Sequence, residues 1–188
     1  FPRWDWKYQW LKDLETFFNK YKKVLAWVML IYAIITGVYT GILLSAFNAR
    51  PLWNTSVLGP LFLASGLSAG AAAIVLASKD RKERLAFSKI DLIILGVELF
   101  LIVHMFMGFL ASTQVQIDAA QLFLGGQYTM VFWIFVVIIG IILPGILDLM
   151  ELRGKHIPAV IPGVLVIFGS LMFRFVFVFA GQVSRWLY

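Results

Sequence analysis

The sequence predicts an all-α, polytopic transmembrane bundle of five spans, on three observations. Of its 188 residues, 61% are hydrophobic and only 14% charged, whereas a soluble domain carries about 25% charged residues. The apolar residues gather in five runs, each near the ~20 residues that cross about 30 Å of hydrocarbon. The connections between runs are short and polar, so neighbouring spans are expected to pack antiparallel.

Residues 1–23 read as a basic, aromatic interfacial segment and 24–188 as the bundle. The first segment interleaves Trp4, Trp6, Tyr8 and Trp10 with lysines, a mixture suited to the headgroup layer, with docking of a partner as the alternative. The spans are expected at 24–47, 58–78, 89–112, 128–149 and 157–181. Between the third and fourth lies a loop ending in Gly125 and Gly126, which reads as a short turn or partial helix. Its only carboxylate is Asp118, and it holds no metal-ligand pattern. The chain opens at Phe1 without the n- and h-regions of a signal peptide, as a processed chain or part of a longer one would.

Lysine and arginine mark orientation, because loops retained in the cytoplasm are enriched in both. They collect before the first span, between the second and third (Lys79, Arg81, Lys82, Arg84) and between the fourth and fifth (Arg153, Lys155). The opposite connections hold Arg50, no basic residue over 113–127, and Arg185 near the end. The N-terminus is therefore expected in the cytoplasm and the C-terminus outside. Net charge is +6, but its basic residues fall between apolar runs and set orientation, so nucleic acid is not an expected partner. The absence of cysteine removes disulfides, protein-borne iron-sulfur clusters and thiolate metal sites.

Glycines recur four apart, at Gly37 and Gly41 and at Gly66 and Gly70, a spacing that lets helix backbones approach closely in lipid. Such pairs either pack helices or shape a crevice for a flat ligand. Pro144 and Pro162 sit inside or at the start of the last two spans, where each removes a backbone donor and is able to kink its helix.

Ionisable side chains within spans are costly and face the protein interior or a water path. Asp91 and Glu98 lie seven apart, on nearly one face of the third span. His104 lies about 9 Å further along, rotated by roughly 120° from Glu98. It reads as a hydrogen-bonded core histidine or as a proton carrier. Arg174, in the last span, calls for an acidic or carbonyl partner, with Glu98 the first candidate; Asp148, beside Glu151, is near enough to its span's end to reach the headgroups. A haem held by two histidines of this chain is excluded, since His104 is within a span and His156 in a loop on the cytoplasmic side.

Two blocks of residues carry a family resemblance. The first runs through Tyr39, Thr40, Gly41, Leu43 and Leu44, then Pro51, Leu52, Trp53 and Asn54, then Leu61, Phe62, Ser65, Gly66 and Gly70; the second is Gly169, Arg174, Gly181 and Gln182. Together they resemble the NrfD family, which includes the membrane subunit of polysulfide reductase. Members usually have eight spans in two four-helix bundles, and this chain is similar to the last five.

The resemblance implies a quinone-interacting subunit of a respiratory oxidoreductase in the bacterial or archaeal cytoplasmic (inner) membrane. It would exchange electrons with a ferredoxin-like iron-sulfur subunit at the outer face, and further redox subunits would complete the complex. Menaquinone or ubiquinone would be an exchangeable substrate, with no redox cofactor held by the chain itself. Tyr39 matches the tyrosine lining the family's quinone pocket, whereas a pocket histidine from the earlier spans has no counterpart here. Asp91 and Glu98 would then lead protons from the cytoplasmic side toward Tyr39, with His104 extending the route. Two other classes stay open on the residues alone. A transporter or channel half would show an inverted repeat or broken helices, and a purely structural membrane anchor would tolerate neutral replacement of Tyr39, Glu98 and Arg174.

Overall fold

The computed structural model describes residues 9–155 and 157–185; Trp4, Trp6, Tyr8 and His156 lie outside them. Among the described residues there is no strand, and five helices are long and apolar enough to cross a membrane. The helices are α1 (Gln9–Lys20), α2 (Lys22–Ser45), α3 (Leu58–Ala77), α4 (Arg81–Leu110), α5 (Gln114–Gln121), a π-helical segment (Val131–Ile142) running directly into α6 (Leu143–Leu152), and α7 (Val160–Val183).

The chain divides into two compact units, Phe1–Thr36 and Gly37–Tyr188. In the first, α1 follows the interfacial segment's amphipathic pattern, and the Phe17 ring lies 5.0 Å from that of Tyr21.

In the second unit, α3 packs against α4 and α7, and α7 against α6 and the π-helical segment. Contacts run in opposite order along α3 and α7. Ser65 meets Ser170 while Leu76 lies over Gly163, so these two helices are antiparallel. The loop 78–80 and the segments 153–155 and 157–159 therefore share one end of this unit, and the segments 46–57 and 111–130 share the other.

Helix α4 begins at Arg81, eight residues before the apolar run expected at Lys89. Charge does not prevent helix formation there, because Asp80 caps the N-terminus by accepting from the Lys82 amide at 3.0 Å. The added turns extend the helix into the basic loop. Its buried residues are Ser88, Asp91, Leu95, Glu98, Ile102, Met105, Phe106 and Phe109, spaced mostly by three and four like a coiled-coil seam. The loop expected as a turn or partial helix carries the two-turn helix α5.

Two glycines outside the four-spaced pairs make the tightest crossing. Gly140 and Gly169 meet backbone to backbone, and a Cβ on either would run into the other's Cα. A Cβ on Gly41 would run into the Gly59 backbone, though one on Gly59 would meet only side chains and a carbonyl at ordinary contact distance, and Gly70 has no neighbour that a Cβ would reach within 4 Å. Pro162 sits in the first turn of α7, where its nitrogen needs no hydrogen bond. Pro144 stands in the first turn of α6, where the wider π-helical turns give way to α-helix. At the end opposite the basic loops, Phe123 packs on Phe132 and Phe177 with ring centroids 4.9 and 5.5 Å apart.

The loop between α2 and α3 is pinned to the end of α7. Pro51, Leu52 and Trp53 are buried. The Trp53 indole donates to the Phe177 carbonyl at 3.1 Å. The Arg50 guanidinium donates to the Gln182 carbonyl, and to that of Ser184 at 3.1 Å.

Candidate functional site

The seam of α4 brings Asp91 and Glu98 inward, 3% and 4% exposed. Their neighbours are serines from facing helices. Ser68 of α3 donates to Asp91 Oδ1 at 2.6 Å. One turn nearer the start of α3, Ser65 faces Glu98, and its hydroxyl pairs with that of Ser170 at 3.0 Å. Ser170 also reaches the Ser65 carbonyl at 3.1 Å.

Arg174 lies one turn further along α7, and it donates to the Ser170 carbonyl at 2.8 Å and to the Ser170 hydroxyl. Glu98 is its electrostatic partner, with the two serines bridging the charges through hydrogen bonds. The guanidinium carbon also lies 6.0 Å from the Phe62 ring centre, a cation–π distance. Gly66 lies beside it, and a Cβ there would stand 3.6 Å from the guanidinium, in ordinary van der Waals contact.

Asp148 turns inward and does not reach the headgroups, because Pro144, Asp148 and Glu151 form the buried stripe of α6. It is 2% exposed and lies within electrostatic reach of Asp91 and Glu151, beside Ser88. Beside it, Ser88 Oγ and Glu151 Oε2 are buried with no hydrogen-bond partner among the described residues. The result is a polar track within the bundle. It starts near the basic loops at Glu151 and Asp148, continues through Asp91 and Ser68, and reaches Glu98, Ser65, Ser170 and Arg174. Among the described residues, no three His, Cys, Asp or Glu side chains are grouped to hold a metal ion.

The other two residues singled out by sequence lie off this track. His104 is exposed on the bundle surface and is not a core histidine. The cause is its phase, because it falls two residues past Ile102 of the buried seam, and about 200° of rotation turns it outward. Its ring stacks on Phe100 at 5.9 Å between centroids. Tyr39 is also exposed, at 58%, about 9 Å before the end of α2.

Ser88, Ser170 and Glu151 join the site without having been singled out as candidates. A signal existed for Ser88, three residues before Asp91 on the same seam, and for Ser170, four before Arg174 on one face of α7.

Comparison with known proteins gives a consistent set of likenesses. A family model described as "Polysulphide reductase, NrfD" matches residues 4–184. The sequence is 34% identical over 166 residues to Protein NrfD of Escherichia coli K12, covering 84% of this chain and 52% of that protein. It is 35% identical over 167 residues to a Protein NrfD homolog of Haemophilus influenzae, with the same coverage. The C chain of polysulfide reductase from Wolinella succinogenes is 32% identical over 167 residues, covering 82% of this chain and 52% of the relative. The sequence thus spans about half the length of these relatives. No solved structure matches it significantly.

Proposed function

Because this chain belongs to the NrfD family of polysulphide reductase membrane proteins, we propose that it is the quinone-interacting subunit of a membrane oxidoreductase complex and conducts protons for quinone chemistry. Electrons pass between a quinone and an iron-sulfur partner subunit docked outside, while the basic loops face the cytoplasm. Quinone reduction consumes two electrons and two protons, and quinol oxidation releases them. A redox site within lipid therefore needs titratable groups that lead to water.

The observation carrying this reading is the polar track from Glu151 to Arg174. Charged and hydroxyl side chains are expensive in the membrane interior and persist there when they serve a path or a site. Here four carboxylates, Asp91, Glu98, Asp148 and Glu151, are all under 9% exposed. Ser65 and Ser170 link Glu98 to Arg174 and Ser68 attends Asp91, so hydroxyls stand beside the carboxylates along the way. Tyr39 supplies the quinone contact by its match to the family's pocket tyrosine.

Proton uptake by reconstituted vesicles tests the track. Glu98→Gln keeps the hydrogen-bonding shape of the side chain but removes the titrating group, and quinone-coupled uptake is expected to fall at least tenfold. Uptake at the wild-type rate would refute the route. A quinone-analogue titration tests the contact, since equal affinity for wild type and Tyr39→Phe would remove the tyrosine from the site.

A further inference from the structure

We infer that Asp148 and Glu151 of α6, together with Ser88 of α4, form a binding site for a small monovalent cation of the sodium type, inside the bundle near the end that carries the loop 78–80. The site goes beyond the proposed function, which gives these carboxylates protons alone.

Helices α4 and α6 run antiparallel where they meet. A Cβ on Gly145 would stand 3.8 and 3.9 Å from the side chains of Leu92 and Leu95, and Asp148, about one turn later on α6, lies beside Ser88, about one turn earlier on α4. Glu151 follows Asp148 on the same buried stripe of α6. Three oxygen-bearing side chains from two helices thus gather in one place, and all are withdrawn from the surface: Ser88 is 1% exposed, Asp148 2% and Glu151 7%. Asp148 stands about 6 Å from the end of α6, so an ion arriving from that end crosses little of the bundle.

Positive charge is what this place lacks. The charged groups within electrostatic reach of Asp148 are Asp91 and Glu151, both acidic. Ser68 satisfies one oxygen of Asp91, but Ser88 Oγ and Glu151 Oε2 are buried without a hydrogen-bond partner among the described residues. Arg84, one turn before Ser88, has a buried Nε that engages no acceptor either. Buried polar atoms without partners cost free energy, and charges within a membrane persist by pairing. A ligand that answers all three side chains must carry positive charge and take lone pairs from hydroxyl and carboxylate oxygens alike, which is the chemistry of a hard cation. A divalent ion fits less well, because calcium takes about 6–8 oxygen ligands and no three acidic side chains are grouped to hold a metal among the described residues. Ser88 separates the cation from a proton. A proton would sit on one carboxylate and leave the hydroxyl lone pairs unused, whereas the shell of a cation uses them.

The full chain in nanodiscs of uncharged phospholipid, equilibrated with radiosodium in choline buffer, tests the assignment. Saturable binding is expected in the wild type, displaced by unlabelled sodium and not by choline. Asp148→Asn and Ser88→Ala should each weaken it at least tenfold, whereas Asp118→Asn, at the other end of the unit, should bind as the wild type does. Sodium should also raise the melting temperature of the wild type and move that of Ser88→Ala much less, which keeps the test decisive if Asp148→Asn does not fold. Binding of wild-type strength in Ser88→Ala would overturn the inference, since the ion would not be using the hydroxyl. So would binding that appears only after Arg84→Gln, because the guanidinium would then be the counter-ion of these carboxylates. No saturable binding, with quinone-coupled proton uptake intact, would overturn it and leave the proposed function standing. Saturable binding with the expected variant pattern in a chain that shows no quinone-coupled uptake would sustain the site and remove the proposed function.

Discussion

The contact between Trp53 and Gly181 makes a quantitative prediction about how the loop before α3 is held to α7. Trp53 is 8% exposed, and its indole donates to the Phe177 carbonyl. A Cβ built on Gly181 would land within that ring, against Nε1, Cε2 and Cδ1. Gly181→Ala must therefore push the indole away, at about 1–3 kcal/mol for overpacking plus about 1 kcal/mol for the displaced hydrogen bond. Alanine's helix preference over glycine returns about 1 kcal/mol, so the net loss is about 1–3 kcal/mol. Trp53→Ala alone empties the site, at about 3–5 kcal/mol. In the double variant, the methyl added at position 181 enters the vacated space, the clash is gone, and only the helix preference remains, stabilising by about 1 kcal/mol.

Gly181→Ala thus changes sign with its background, and the two effects couple by about 2–4 kcal/mol in the favourable direction. Reversible unfolding in mixed SDS micelles, followed by far-ultraviolet circular dichroism so that loss of the tryptophan does not alter the signal, measures all four corners of the cycle. An equal cost for Gly181→Ala with and without Trp53 would refute the packing described here.

Three further outcomes follow from the same geometry. Gly169→Val should lower stability by more than about 2 kcal/mol in the same unfolding assay, since it opposes the Gly140 backbone and reaches at least the upper overpacking range. Ser68→Ala removes the donor to a buried Asp91 oxygen and should cost about 1–3 kcal/mol, with Ser68→Thr restoring most of it. Arg50→Gln removes the guanidinium donors to the Gln182 and Ser184 carbonyls, and hydrogen exchange at 182–185 should accelerate while exchange in the centre of α3 is unchanged.

Much of the bundle was legible because length and hydropathy govern crossing. The five runs became five helices, with ends displaced where a rule other than hydropathy acts. Asp80 starts α4 by capping, and the charged turn that follows is invisible to a search for apolar residues. The π-helical turns of Val131–Ile142 leave no mark in a run that is apolar on every face. Glycine spacing misled in part, because a close crossing needs one small residue at the crossing point on each helix. Gly140 and Gly169 meet that condition without any four-residue repeat, and Gly70 has the repeat without a contact.

The candidate site was legible in its carboxylates and less so in their partners. Seven residues bring Asp91 and Glu98 to one face by helix geometry alone. Their serines come from α3 and α7, far away in sequence, where only the tertiary arrangement pairs them. Asp148 illustrates competition between two rules, since a carboxylate near a span's end can reach water or turn inward. Its phase with Pro144 and Glu151 on the buried stripe of α6 decides for the interior.

Helix α4 then separates two kinds of polar group by phase alone. Its buried seam holds Asp91 and Glu98 among serines from the same bundle, which satisfy Asp91 by a direct hydrogen bond and link Glu98 to Arg174. Its outward face holds His104, and no residue of the bundle supplies that ring with a hydrogen bond in the described structure. The two faces therefore differ in what the bundle itself supplies: serines for the inward carboxylates, and only the stacked Phe100 ring for His104. Glu98 and His104 are six residues apart, about 9 Å along one continuous helix. Depth is thus a poor guide on this helix, and phase decides that Glu98 joins the track while His104 stays outside it.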